Sequence, residues 1–207
     1  MNVLLINGSP HAQGCTHAAL SVVAAELEKA GIATEVVHIG HKDTRGCIGC
    51  FKCRQLGRCV FDNDMVNEVN RKFALADGLV IGSPVYFAAP NGTLVSFLDR
   101  LFFSAPFEKR FKVGAAIVLA RRMGTTAALD QLNKYFLHGE MPVAASRYWN
   151  AVHGNTPQEV LKDEEGLQTM RVLGRNMAFL IRAIAAERER NGLPAVEPQR
   201  IATNYIR

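Results

Sequence analysis

The sequence predicts an α/β fold: five parallel strands in one sheet, in the order 2-1-3-4-5, with helices on both faces. Three observations carry this. Short apolar runs without alternation recur along the chain, as strands buried on both faces require. Between them lie segments whose apolar residues recur at spacings of three and four, the stripe of an amphipathic helix. The two kinds alternate, which is the pattern of strand–helix–strand units wound into a doubly wound sheet. The length of 207 residues suits one such domain, and a composition of 48% hydrophobic and 21% charged residues excludes a disordered chain.

Residues 2–7, NVLLIN, form the first strand. Residues 16–29 follow as a helix, with Leu20, Val23, Ala24 and Leu27 on one stripe and Gly31 closing it. Residues 33–39 read as the second strand. The stretch 45–61 is rich in cysteine and has no period. A helix capped by Asp62 or Asn63 runs to about Ala74. Residues 79–81 are the third strand, which ends at Gly82-Ser83-Pro84. Leu94, Phe97, Leu98 and Leu101 mark the next helix, and residues 113–119 the fourth strand. Leu129, Leu132 and Phe136 mark another helix, and residues 142–148 are expected to be the fifth strand. Residues 164–190 carry Leu167, Met170, Leu173, Met177, Leu180 and Ile184 at helical spacing. The domain is therefore expected to span 1–190, followed by an extended arm, 191–207, with Pro194 and Pro198. Ile201, Tyr205 and Ile206 make that arm apolar, so it is expected to dock on a neighbouring subunit of a homo-oligomer.

Composition narrows the function classes. The net charge is +5, but Lys and Arg are scattered among Asp and Glu, with no basic block interleaved with aromatics. Nucleic acid and membrane partners are disfavoured, and a small anionic ligand fits. No apolar run reaches the ~20 residues of a membrane span. The start, MNVLLINGSP, lacks the basic residues of a signal peptide, so a cytoplasmic chain is expected. In that reducing setting the five cysteines read as thiols, ligands or redox groups rather than disulfides. No Ser-His-Asp or paired-carboxylate arrangement stands out, which disfavours hydrolysis.

Ligands of doubly wound sheets bind beyond the carboxyl ends of the strands. The loop from Gly8 to Thr16, GSPHAQGCT, lies there and opens a helix. Its backbone N–H groups, hydroxyls and helix dipole suit an anion. It is neither G-x-G-x-x-G nor a Walker loop with its Lys, so dinucleotide and nucleoside-triphosphate sites are disfavoured. A terminal phosphomonoester, as in FMN, fits; so does an ordinary strand–helix turn. The second loop there, Gly82-Ser83-Pro84-Val85-Tyr86-Phe87 with Pro90-Asn91-Gly92 behind it, offers aromatics and amides to a flat heterocycle, unless Tyr86 and Phe87 are simply core. Weaker candidates at the same edge are Arg121-Arg122-Met123-Gly124, Tyr148-Trp149-Asn150 and His153.

GSP-x-x-x-G-x-T after the first strand, paired with GSPVYF after the third, resembles the NADPH-dependent FMN reductase family. Its fold is flavodoxin-like, a three-layer sandwich, and the resemblance covers nearly the whole chain. It implies non-covalent FMN, reduction by NADPH or NADH, a small-molecule electron acceptor such as a quinone or free flavin, and a homodimer or homotetramer. Carried over residue by residue, Ser9, His11, Gly14, Cys15 and Thr16 would hold the phosphate. Pro84, Val85, Tyr86, Phe87 and Asn91 would line the isoalloxazine ring. Cys15 stands where relatives often have Asn, and His11 where they often have Arg or Lys. No side chain is implied as a catalytic acid or base, since the hydride passes directly from nicotinamide to flavin.

Cys47, Cys50, Cys53 and Cys59 follow the spacing C-x2-C-x2-C-x5-C. Four thiolates this close suit a [4Fe–4S] cluster; a four-cysteine zinc site and metal-free thiols are the alternatives. The compact spacing resembles that of the iron-sulfur flavoproteins, a branch of the same superfamily. That resemblance implies a cluster beside FMN, electrons passed singly, and ferredoxin as a partner. The readings that stand are an FMN-dependent NAD(P)H oxidoreductase, an iron-sulfur flavoprotein, and a flavodoxin-like binding module without redox turnover.

Overall fold

The structure, a computed structural model, describes residues 1–40 and 43–197 together with residues 201 and 203. Its strands are β1 (Asn2–Asn7), β2 (Ala33–His38), β3 (Gly78–Tyr86), β4 (Ala89–Pro90), β5 (Val113–Ala120) and β6 (Ala151–His153). The helices are α1 (Cys15–Lys29), α2 (Cys53–Leu56), α3 (Val66–Leu75), α4 (Gly92–Ser104), α5 (Thr125–His138), α6 (Pro157–Val160) and α7 (Glu164–Asn191). The parallel strands run in the order β2-β1-β3-β5-β6, and β4 is a short antiparallel partner of β3. Counting the parallel strands alone, this is the expected order.

The continuous apolar runs are explained by burial on both faces. Val3 and Leu5 of β1 point to the side covered by α1 and α7, where Leu20, Val23, Leu27, Met170 and Leu173 pack. Leu4 and Ile6 point to the side covered by α3, α4 and α5, where Phe73, Phe97, Leu101 and Phe136 pack. The period of two along a strand divides one run between two cores, and three layers result.

The fifth strand is not where the sequence placed it. Val143 makes one parallel bridge to Gly114, and then the chain leaves the sheet. It returns at Asn150, whose carbonyl accepts from Val118 N, and β6 follows at Ala151. Gly114 to Val118 is four residues on β5, whereas Val143 to Ala151 is eight on the edge. The extra residues form a bulge held by Ser146, whose Oγ donates to Asn150 Oδ1 at 2.7 Å. It carries Tyr148 and Trp149 into solvent. The start of α3 also differs: Met65 is the N-cap and offers no side-chain bond, and Asp64 Oδ1, rather than Asp62 or Asn63, accepts from Val66 N. Beyond α7, residues 192–197 have no regular structure, and Val196 and Ile201 are exposed. Tyr205 and Ile206 lie outside the described residues.

Candidate functional site

β1 and β3 end side by side, and Gly8 N donates to Gly82 O at 2.9 Å. The loop that follows β1 is braced from below by Asn7, fully buried as the last residue of the strand. Its Oδ1 accepts from Ser9 N at 3.0 Å and its Nδ2 donates to Ala12 O at 3.2 Å. Ser9 Oγ accepts from His11 N, and Gly14 N closes the turn on His11 O. His11 is exposed, whereas Ser9 is buried. Cys15 is half-buried, and that burial pushes its thiol up, away from the thiolate. His38, at the end of β2, reaches across with Nε2 2.8 Å from Ser9 O. Neither Asn7 nor His38 belongs to a sequence motif. A polar residue closing a strand otherwise buried on both faces was the available signal for Asn7.

At the start of α1 the structure leaves an opening for an anion. Gly14 is the N-cap and contributes no side-chain cap, and the first turn carries no acidic residue. Thr16 is 1% exposed, yet its Oγ1 has no hydrogen-bond partner. Its methyl faces β3: a Cβ on Gly82 would sit 2.8 Å from Thr16 Cγ2, so the close approach requires glycine there. A buried hydroxyl without a partner is rare in folded proteins. A phosphate oxygen would satisfy it together with the free N–H groups of the helix start. The loop thus fits the phosphate of FMN by its own unsatisfied groups.

The second loop is a two-residue hairpin. Tyr86 pairs with Ala89, and the turn residues Phe87 and Ala88 have φ of 51° and 61°. Positive φ at both central positions is the type I′ requirement, which Gly and Asn usually meet. Here Phe and Ala meet it at a steric cost. Ser83 Oγ accepts from Asn91 N at 3.0 Å and donates to Pro84 O at 2.8 Å, which ties the two arms together. Asn91 Oδ1 caps α4 by accepting from Thr93 N, so that oxygen is committed. Gly124 has φ of 96°, and a Cβ there would lie 2.8 Å from Ala88 Cα, so the loop after β5 seats on the hairpin. Pro84 and Val85 are partly buried, while Tyr86 and Phe87 are exposed. These two aromatics are therefore not core residues.

The four clustered cysteines line one cavity, closed by Phe51, Phe61 and Phe103. All four are free thiols; Cys59 is buried, Cys53 half-buried, and Cys47 and Cys50 exposed. Cys59 is fixed from two sides. Asn67 accepts from Cys59 N at 2.9 Å and donates to Cys59 O at 3.1 Å. Arg100, 1% exposed, donates from Nε to Cys59 Sγ at 3.3 Å. The rest of its guanidinium grips both carboxylate oxygens of Asp64 and the carbonyls of Arg45 and Phe61. Sequence reasoning missed Arg100 and Asn67.

Among the described residues, no three His, Cys, Asp or Glu side chains converge on the position of a single ion. A mononuclear four-cysteine zinc site, with Zn–S near ~2.3 Å, needs that convergence. A four-iron cluster holds its sulfurs on the corners of a larger body and does not. The enclosed room is about 20 Å³, so the exposed segment of Cys47 and Cys50 must swing outward to admit such a cluster. The donor set and its charge compensation fit a cluster.

Residues 1–156 match the family model described as NADPH-dependent FMN reductase. An iron-sulfur flavoprotein of Methanocaldococcus jannaschii is 33% identical over 195 residues, which cover 89% of this chain and 99% of that protein. An iron-sulfur flavoprotein of Methanosarcina thermophila is 28% identical over 199 residues, covering 92% and 100%. Among solved structures, RosB with a bound intermediate superposes with a TM-score of 0.70 at 17% identity, covering all of this chain and 93% of that one. A WrbA-like flavodoxin from Agrobacterium tumefaciens superposes at 0.62 and 16% identity, covering 88% and 98%. At these identities the structures speak for the flavodoxin-like fold.

Proposed function

The chain belongs to the NADPH-dependent FMN reductase family, and from that premise we propose that this flavin-dependent oxidoreductase works as an iron-sulfur flavoprotein. In this reading it carries FMN at the α1 loop and a [4Fe–4S] cluster at Cys47, Cys50, Cys53 and Cys59. The observation that carries it is the single cavity lined by all four thiols, with a buried guanidinium aimed at Cys59. Relatives named iron-sulfur flavoproteins, matched over nearly their full length, support it.

Bound FMN would supply the exchange between two-electron and one-electron chemistry. The protein's part is to bind, orient and tune. Thr16 Oγ1 and the first N–H groups of α1 would hold the phosphate, with Ser9, Gly14 and Cys15 shaping the loop. His11 would reach it from the rim. Pro84, Val85, Tyr86, Phe87 and the amides up to Asn91 would line the ring. Arg121 and Arg122, exposed in the loop seated against the hairpin, would meet the flavin or a nicotinamide phosphate. Arg100 would offset the negative charge that four thiolates bring to a cluster. Electrons would enter from NADPH or NADH, or from ferredoxin, and leave to a small acceptor.

No helix among the described residues is long and apolar enough to cross a membrane. The cytoplasm is our proposed setting because five unpaired cysteines suit a reducing compartment. The exposed Phe87, Met123, Tyr148 and Trp149 at the sheet's carboxyl edge support assembly into a homo-oligomer with the flavin near the interface.

Anaerobic purification followed by visible spectroscopy and iron, sulfide and flavin assays tests the proposal. Near four iron and four sulfide per chain beside one FMN is expected. Flavin without iron after anaerobic reconstitution would leave an FMN-only oxidoreductase, the reading favoured by the exposure of Cys47 and Cys50.

A further inference from the structure

α4 and α5 lie on the same face of the sheet and leave a pocket of about 610 Å³ between them. That is within the range of small-molecule sites. Its base is aromatic: the rings of Phe102 and Tyr135 stand 5.2 Å apart between centroids, tilted by 41°. Phe103 and Cys47 line it too, and the same two residues line the thiol cavity, so the two spaces share a wall.

The charges in the pocket are unequal in commitment. Asp99, the only carboxylate among the described residues that line the pocket, keeps its charge but turns Oδ1 to the Tyr135 hydroxyl, from which it accepts a hydrogen bond at 2.6 Å. The ammonium of Lys134, the neighbour of Tyr135 on α5, has no ion pair or hydrogen bond to any of the described residues, and the side chain lines the pocket. His138 lies one turn further along the same helix face. Flat apolar walls with one uncommitted cation above them select a flat molecule with one negative group. Ring faces give area and stacking, and the ammonium gives the sign.

We propose that this pocket binds a small planar aromatic acid, its ring against Phe102 and Phe103 and its anion on Lys134. The site lies on α4 and α5, apart from the α1 loop assigned to the FMN phosphate. The proposal rests on the iron-sulfur reading only for its consequence. A ring bound there would end at Cys47, one side chain from the thiol cavity, and so would stand at the door of any group the thiols hold. Binding itself needs no cluster.

Calorimetric titration of the purified holoprotein with 2-naphthalenesulfonate, and in parallel with uncharged 2-naphthalenemethanol, reads the site. The sulfonate should bind at least about tenfold more tightly than the alcohol, as a single charge contact of some 1.4 kcal/mol gives. Lys134→Glu, an exposed substitution, should erase that preference. Gln131→Trp, which fills the pocket from α5, should abolish binding of both probes, with FMN content unchanged. Equal affinities in the wild type, or sulfonate binding that survives Gln131→Trp, would overturn the proposal. Iron content on the same samples separates the two readings. A preference for the sulfonate in protein that takes up no iron would sink the cluster assignment and leave this site standing.

Discussion

Replacing Thr16 by Val changes two quantities in opposite directions. The substitution keeps shape and β-branching and removes only the hydroxyl. In the free protein that hydroxyl is buried at 1% exposure without a partner. Such a group costs about 1–3 kcal/mol of stability. Its removal should therefore stabilise the FMN-free protein, by about 1 kcal/mol at the cautious end of that range. For a chain of this size, 1 kcal/mol corresponds to a Tm higher by roughly 2–4 °C. With FMN bound, the same hydroxyl would make a charge-assisted bond to the phosphate, worth about 1.5–3 kcal/mol. Its loss should weaken FMN binding by roughly 10- to 100-fold. Differential scanning fluorimetry of the FMN-free variant and quenching of free-flavin fluorescence read the two effects. A lower apoprotein Tm together with an unchanged FMN dissociation constant would refute the reasoning. Thr16 would then be ordinary packing at a helix start.

Three further outcomes follow from the geometry. Arg100→Met should cost about 3–5 kcal/mol in a urea melt, because Asp64 stays buried and loses its counter-charge. The double variant with Asp64→Leu should recover much of that loss, and a single variant of wild-type stability would sink the claim that this pair is closed to water. Phe87→Gly should raise Tm by roughly 2–4 °C, since it relieves about 1 kcal/mol of positive-φ strain at a fully exposed side chain with little packing to lose. Glu26, hydrogen-bonded by Lys29 at 2.7 Å, is held below the usual carboxylate range by that bond. Its contribution is present above the unfolded pKa and is lost as pH falls through the lower folded value. Glu26→Gln should therefore lower stability at neutral pH and converge with the wild type in acid, which flattens the acid limb; an identical acid limb would contradict it.

The legible parts of the site are those whose signal is local. The phosphate loop is a run of nine residues between two strongly patterned elements. The thiol spacing is equally compact, and the structure lines all four sulfurs along one cavity. The hairpin reads in the sequence as a loop and not as a strained two-residue turn. GSPVYFAAP carries no Asn-Gly at the turn, so its positive φ values come from the Ser83–Asn91 tie and from Gly124 seated beside Ala88. The edge strand reads at 142–148 because Val143 and Ala144 carry the apolar signal, while the pairing depends on where β5 finds partners.

What the sequence determined by itself is periodicity and spacing: which segments bury two faces, which bury one, and where glycines, hydroxyls and thiols recur at short range. These suffice for a doubly wound sheet and for the two loops proposed to hold its ligand. What only the tertiary structure decided is which distant polar groups meet. Arg100 reads as the odd residue in the apolar stripe of α4, yet the fold sets it on Cys59, 41 residues away. His38 reads as the end of a strand, yet it meets Ser9, 29 residues away. Asn67 reads as a helix residue and instead holds Cys59 in place. A polar side chain at an inward position has a high cost unless it is partnered, and the partner is chosen by how the layers stack. Stacking is a property of the folded whole, and no window of the chain contains it.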